Sequence, residues 1–521
     1  METARSEKRR RVDRVSAACD LCKARKVKCD GGLPCSYCTR KGRSDSCSFS
    51  GPKPRQTQSA NNTPRRSSIG NAASEAIPMI SRNAANDDHS RRSEAHHTEL
   101  RPSTSPAISR DDHHEGTDVP LEARLLRDAQ GKVIFIGDCA PISFLQTVRH
   151  LVASETDQDG FLAQATRDSF IEVAPPETVG GSRRIDSRVR LDEVEAFVTE
   201  YFVATSGLVH LSDSKQLLGD VKRWAAGTST RINDASTAVY YLVLAIGVQE
   251  KDEPKAEAWF KHARDLLLTK LTDSMNVATV QGFALVAVYM MRAFQPNGAY
   301  LYFSLAARTA YAIGLHRTVV NASFGAGTHA MRDRLWKSLR AVDMLISTML
   351  GRPPSTSDVD CTVKYKSASN NGTLDVLDAS VQMFMIIERV VVEVYSRKRI
   401  SLRIANFVSH QLKTWASHWL RSLTDVATGS VTETHTREII VGACQVLCSY
   451  YYGIMLLTRP FLIYEVYEYL GTSMRASGAR DDYEEKAKFA DAALDAAVAF
   501  VDTLQSVIDT GKMPRRMPLV V

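Results

Sequence analysis

The segment "CDLCKARKVKCDGGLPCSYCTRKGRSDSC", residues 19–47, contains six cysteines and seven basic residues. Its thiols are spaced Cys19-x2-Cys22-x6-Cys29-x5-Cys35-x2-Cys38-x8-Cys47. In each Cys-x2-Cys step a single turn of chain brings two sulfurs onto one ion, and a third cysteine six or eight residues on can fold back to it. The two halves read as one unit written twice. Two closed tetrahedral zinc sites need eight coordination positions, and no histidine lies within residues 1–60 to help fill them. The count closes if two of the six thiolates each bridge both ions, which predicts a binuclear cluster holding two Zn2+ ions.

So short a segment cannot bury enough apolar surface to fold unaided, so metal binding must supply much of its folding free energy, on the order of 10 kcal/mol or more per structural zinc. Three disulfides, a mononuclear site with two spare thiols, and a redox pair are the alternatives. The N-terminus "METARSEKRRRVDRVSAACD" has no apolar core of a secretion signal, and no apolar run approaches the roughly 18 to 20 residues of a membrane span. The expected setting is therefore nucleocytoplasmic, with no membrane partner, where thiols stay reduced and disulfides are disfavoured. The doubled spacing argues against the other two.

This pattern resembles the fungal binuclear zinc cluster transcription factors. Their Cys-x2-Cys-x6-Cys, short loop, Cys-x2-Cys and final cysteine are met at Cys19, Cys22, Cys29, Cys35, Cys38 and Cys47, and Pro34 sits where the family's loop often carries proline. The resemblance implies that Cys19 and Cys35 are the bridging ligands. It also implies that "CKARKVKCD" is the basic recognition segment and that Lys26, four residues after the second cysteine, reads a CGG triplet in double-stranded DNA. Chemically, a lysine or arginine at a helix end can pair with O6 and N7 of guanine in the major groove. Lys23, Arg25 and Lys28 are assigned to phosphate contacts or to support of Lys26.

Charge agrees with a nucleic-acid partner. The chain carries +7 overall, but residues 1–60 hold 15 Lys and Arg against 6 Asp and Glu, so the basicity is local. Lys8, Arg9, Arg10 and Arg11 form a candidate nuclear import signal. Many relatives dimerise through a coiled coil just after the cluster; residues 48–75 instead contain Pro52, Pro54 and Pro64 and no apolar heptad, leaving monomer and homodimer both open.

The elements that must carry this site fall into four stretches: a basic arm at 1–18, the cluster at 19–47, a linker at 48–118 whose Ser, Asn, Pro and Arg content predicts disorder, and a large all-α body at 119–521. In "PKAEAWFKHARDLLLTK" the residues Ala256, Trp259, Phe260, Ala263 and Leu267 recur every three or four positions and predict one buried stripe. Segments 234–248 and 277–291 are apolar nearly all round, as central helices are. Further helices are expected at 297–314, 328–350, 376–397, 437–458 and 484–508, with Pro460 stopping the penultimate one. Only "KVIFIGD", 132–138, reads as a strand.

Enzyme signals are weak: the chain has no Walker loop, nucleophile elbow or His-Glu-x-x-His, so no enzyme is expected. "SFGAGTHA", 323–330, reads as a surface turn, "DDHHE", 111–115, as solvated chain, His210 and His316 as structural histidines, and Cys139, Cys361, Cys444 and Cys448 as packing residues. The stretches "AARTAYAIGLHR", 306–317, and "RDRLWKSLRAVDMLISTMLGRPPSTSDVD", 332–360, resemble the fungal-specific transcription factor domain, or middle homology region, with "LLTRPFL", 456–462, a looser match. That resemblance implies an all-α regulatory body that relays to the transcription machinery and leaves room for a small-molecule effector. The chain stops at "MPRRMPLVV", which reads as a shortened form, since relatives usually continue with more helix and an activating segment. The reading is a nuclear regulator of RNA polymerase II promoters that controls a pathway or biosynthetic gene cluster. A DNA-tethered ligand-binding or enzymatic body, and a zinc-scaffolded interaction module, are the alternatives.

Overall fold

The computed structural model describes residues 18–25, 27–48, 117–118, 124–127, 133–156, 189–228, 234–269, 271, 275–365, 374–429, 435–469 and 480–518. Contacts divide the chain into two units, 1–103 and 104–521.

The first unit is built on two short helices, α1 (Asp20–Ala24) and α2 (Ser36–Arg40), and a 3-10 turn at Ser44–Ser46. Cysteine sulfurs cap both helices, as described below. Gly42, at φ 64°, lies just beyond the C-cap of α2, Lys41, where a left-handed residue ends the helix.

The second unit is mostly helical. Its strands are two short antiparallel ribbons: β1 (Thr117–Asp118), β2 (Arg124–Arg127) and β3 (Val133–Ile136) precede most of the helices, and β2 pairs with β3 so that Arg124 faces Ile136. The helices α3 (Pro141–Thr156), α4 (Leu191–Thr205), α5 (Ser214–Ala225), α6 (Asp234–Val248), α7 (Glu253–Thr269), α8 (Val277–Arg292) and α9 (Pro296–Ala312) follow. Then come α10 (Thr318–Ala322), α11 (Ala326–Leu350) and α12 (Val376–Val390). After these, β4 (Arg399–Ile400) pairs with β1, and α13 (Leu402–Thr428), α14 (Arg437–Tyr469) and α15 (Arg480–Asp509) complete the order.

The sequence periodicity locates the core. Ala256, Trp259, Phe260, Ala263 and Leu267 are all buried, and α6 and α8 pack against each other at the centre. Leu335, Trp336, Leu339, Val342 and Leu345 form a buried stripe on α11, which ends at Gly351 with φ 64°. The segment "RPPSTSDVD" is then tied back onto α11. Fully buried Arg340 donates to the Thr356 carbonyl at 3.0 Å and pairs with Asp358 at 3.2 Å and with Glu388, while Asp343 accepts the Thr356 N–H at 2.6 Å.

Three expectations change. Pro460 does not stop its helix, because α14 runs on to Tyr469 with Pro460 inside it. The helix expected over 376–397 leaves α-geometry after Val390 in a π turn, Val391–Tyr395. Helices α3, α4, α5, α10 and α13 were not read from the sequence at all. The helix α14 is long and apolar enough to cross a membrane, but 78% of its apolar window is buried inside the body, as for a core helix.

Candidate metal centre and nucleic-acid interface

Each half of the N-terminal unit begins with a cysteine in extended conformation that caps the next helix. The Cys22 N–H donates to Cys19 Sγ at 3.4 Å, and the Cys38 N–H donates to Cys35 Sγ at 3.4 Å. A second amide arrives from the same two residues: Cys19 N–H donates to Cys29 Sγ at 3.5 Å and Cys35 N–H to Cys47 Sγ at 3.3 Å. The internal repeat in the spacing is thus an internal repeat in hydrogen bonding. Amide donors aimed at sulfur favour the thiolate over the thiol.

All six sulfurs converge. Cys19, Cys22, Cys29 and Cys35 place their Sγ atoms within 4.8 Å of one another, and so do Cys19, Cys35, Cys38 and Cys47. Cys19 and Cys35 belong to both groups. The separations are 3.8 Å for Cys19 to Cys35, 3.8 Å for Cys19 to Cys38 and 3.7 Å for Cys22 to Cys35. A Zn–S bond of about 2.3 Å sets tetrahedral sulfurs about 3.8 Å apart, so the donor set fits zinc in type and spacing. Five of the six thiols are buried and Cys29 is half-buried.

The capping amides act against burial at the two helix-opening cysteines. The Cys38 amide, acting against burial, holds Cys35 down at about 6. Burial alone would raise Cys19, but the Cys22 amide and the neighbouring thiols outweigh it and bring it below the ordinary thiol value. Burial pushes Cys22 up, and Cys38 up to about 12.

Two acidic residues complete the scaffold. Asp20 opens α1, and its N–H donates to the Ser48 carbonyl at 2.8 Å, tying the start of the cysteine segment to its end. Asp30 was not foreseen: its carboxylate accepts the Gly32 N–H at 3.4 Å and the Ser36 N–H at 3.1 Å, and the Ser36 hydroxyl with them holds it below the usual carboxylate range. An Asp six residues ahead of a Ser that opens a helix was the available signal.

The basic residues stand outside this core. Arg25 is the C-cap of α1 and is exposed, as are Lys23 and Lys28; Lys23 lies 3.8 Å from Asp20. Lys26 and the tetrad Lys8, Arg9, Arg10 and Arg11 fall outside the described residues, as does "DDHHE".

Residues 17–56 match the family described as the fungal Zn(2)-Cys(6) binuclear cluster domain, and residues 201–372 match the fungal specific transcription factor domain. The chain carries the two domains of a fungal zinc-cluster transcription factor. Filamentous growth regulator 27 of Candida albicans is 22% identical over 74% of this chain and 51% of its own. Terreic acid cluster-specific transcription factor atF of Aspergillus terreus is 24% identical over 71% of this chain and 56% of its own. Terrein cluster-specific transcription factor terR of the same species is 51% identical over 39 residues, 7% of this chain and 6% of that one. The zinc-cluster chain spans about half the length of the first two relatives. No solved structure matches it. Both matched domains are described as parts of fungal transcription factors, and the relatives are named as regulators.

In the helical domain, the residues read as structural are placed accordingly. Cys139, Cys444 and Cys448 are buried, and half-buried Cys361 accepts the Trp336 indole N–H at 3.1 Å. His316 is buried, with Nε2 3.5 Å from Asp360. Of the segment 323–330 expected to be a surface turn, only 323–325 turns; Gly325 is the N-cap of α11 at φ 87°, and 326–330 already belong to that helix. His210 borders a cleft of about 660 Å³ whose wall includes Leu217, Tyr240, Gln281 and Met331. Arg334, also on that wall, is bonded to Asp375 at 2.6 Å.

Proposed function

We propose that this chain is a sequence-specific DNA-binding regulator of RNA polymerase II promoters, in which Cys19, Cys22, Cys29, Cys35, Cys38 and Cys47 hold two zinc ions with Cys19 and Cys35 bridging. The observation that carries the reading is the pair of four-sulfur groups sharing those two residues. Bound there, the ions would supply rigidity to the segment that carries α1; the chemistry of recognition would belong to the side chains. The end of α1, marked by Arg25, would enter the major groove with Lys26 reaching guanine in a CGG-type site, while Lys23 and Lys28 meet phosphate. Lys8 to Arg11 would serve nuclear import.

The helical body would carry regulation and contact the transcription machinery, with the cleft beside His210 as its candidate effector site. Two of the relatives are named as cluster-specific transcription factors, for terreic acid and for terrein, which supports control of a comparable gene set.

The deciding experiment is a competition shift assay with the full chain on a CGG-containing duplex against random DNA. Lys26→Ala should cut the preference by roughly tenfold, within the 1 to 3 kcal/mol a good base contact provides. Lys28→Ala should weaken both duplexes alike and make the salt dependence shallower. Unchanged selectivity in Lys26→Ala would remove its assigned role.

A further inference from the structure

The helix α15 has two apolar faces, and the body covers one of them. Ala490, Ala493, Ala496, Phe500 and Val507 are buried. On another side, Leu494, Val498, Val501 and Ile508 are 55, 61, 59 and 46% exposed. Positions 494, 498, 501, 505 and 508 alternate steps of four and three, the spacing of a single seam along a helix, and Gln505 is the one polar residue on it. A surface helix ordinarily turns polar residues outward, so an outward seam of this length marks a contact surface.

Its rim is charged on one side. Glu484, Asp491, Asp495, Asp502 and Asp509 are all exposed and fall along the same flank of the seam, with Lys488 the one base among them. The acidity continues onto the neighbouring helix: Glu465 of α14 is held above its ordinary value first by burial and then by the charges of Asp491 and Glu468. Antiparallel self-pairing about a two-fold axis would bring this flank against its own copy, acid on acid. A partner of the opposite flank charge meets no such cost.

The geometry points to α15 as the docking site for an amphipathic helix of a partner protein, one whose apolar stripe is bordered by lysine and arginine. The partner seats its stripe on Leu494, Val498, Val501 and Ile508, and its bases face Asp491, Asp495 and Asp502. This surface is independent of the zinc cluster, so its test does not depend on DNA binding.

The test uses the full chain and three synthetic helical peptides followed by fluorescence anisotropy: one amphipathic with a Lys/Arg flank, one with the same apolar stripe and a Glu flank, and one basic peptide with its order scrambled. The basic amphipathic peptide is expected to bind at least tenfold more tightly than the other two. Val498→Ser with Val501→Ser should lower its affinity at least tenfold with helicity by circular dichroism unchanged, since both positions are exposed. Asp495→Lys with Asp502→Lys should shift preference toward the Glu-flanked peptide relative to the unaltered chain, a comparison in which the basic N-terminus cancels. Equal binding of the scrambled peptide, binding of none of the three, or self-association in sedimentation that the serine pair abolishes would each overturn the assignment.

Discussion

The Tyr395 hydroxyl donates a hydrogen bond of 2.8 Å to the Leu456 carbonyl, four residues ahead of Pro460. Proline at 460 has no N–H for that carbonyl, and its ring crowds it. The missing donor is replaced from outside the helix, by a tyrosine placed at the end of the π turn. This is why α14 continues through a residue that would end an isolated helix.

Tyr395→Phe should therefore leave a buried carbonyl unpaired and destabilise the helical unit by about 1 to 3 kcal/mol. Adding Pro460→Ala restores an N–H at position 460 and should recover part of the loss, so that the two changes are not additive in urea unfolding. All five tryptophans lie in the helical unit, which makes their fluorescence its reporter. Strict additivity would show that the hydroxyl does not substitute for the missing amide.

Gly137 and Gly351 meet backbone to backbone. A Cβ on Gly137 would fall 1.8 Å from the Gly351 carbonyl oxygen, where no side chain can move aside, and the Gly137 N–H donates to the Leu350 carbonyl at 2.9 Å. Gly137→Ala should cost at least the upper end of the 1 to 3 kcal/mol typical of overpacking. Gly511→Ala, at φ 69° with nothing within 4 Å, is the control and should cost about 1 kcal/mol from conformation alone. Thermal unfolding of the two variants checks the difference.

Sharing of Cys19 and Cys35 between the two sulfur groups makes the six thiols inequivalent. Elemental analysis of the full chain should return about two zinc ions per molecule. Cys22→Ala should keep about one, whereas Cys19→Ala or Cys35→Ala, which opens both groups at once, should keep none. Removing zinc with a chelator should abolish DNA binding while tryptophan fluorescence stays unchanged, because metal binding and folding are coupled in the first unit alone.

Burial, reinforced by the Arg334 guanidinium, holds the His210 imidazole down at about 4, against an ordinary 6.5. The folded state thus binds fewer protons than the unfolded one between those values. The stability His210 contributes is present above pH 6.5 and is lost as pH falls toward 4, at about 1.4 kcal/mol or less per unit. His210→Gln should flatten that limb in urea unfolding followed by tryptophan fluorescence at pH 7.5 and 5.5. An unchanged slope would place the imidazole in contact with water.

The cluster was legible in the sequence because its information is local. Six thiols within 29 residues, a repeated Cys-x2-Cys and two helix-opening positions leave few ways to close eight coordination positions, and the sulfurs that cap α1 and α2 come from the same short stretch. The central helices were legible for the same reason: the apolar stripe from Ala256 to Leu267 and the nearly all-apolar segments over 234–248 and 277–291 declare their burial without reference to any partner. Tertiary structure alone decided the rest. Helix α13 presents mixed polarity until its own face meets α12 and α14, and Pro460 forbids a helix until a tyrosine sixty-five residues earlier in the chain arrives to satisfy the carbonyl it strands. The exposed seam on α15 is likewise invisible in sequence, since leucine and valine read as core, and only the packing of the other face shows which of them the body leaves to water.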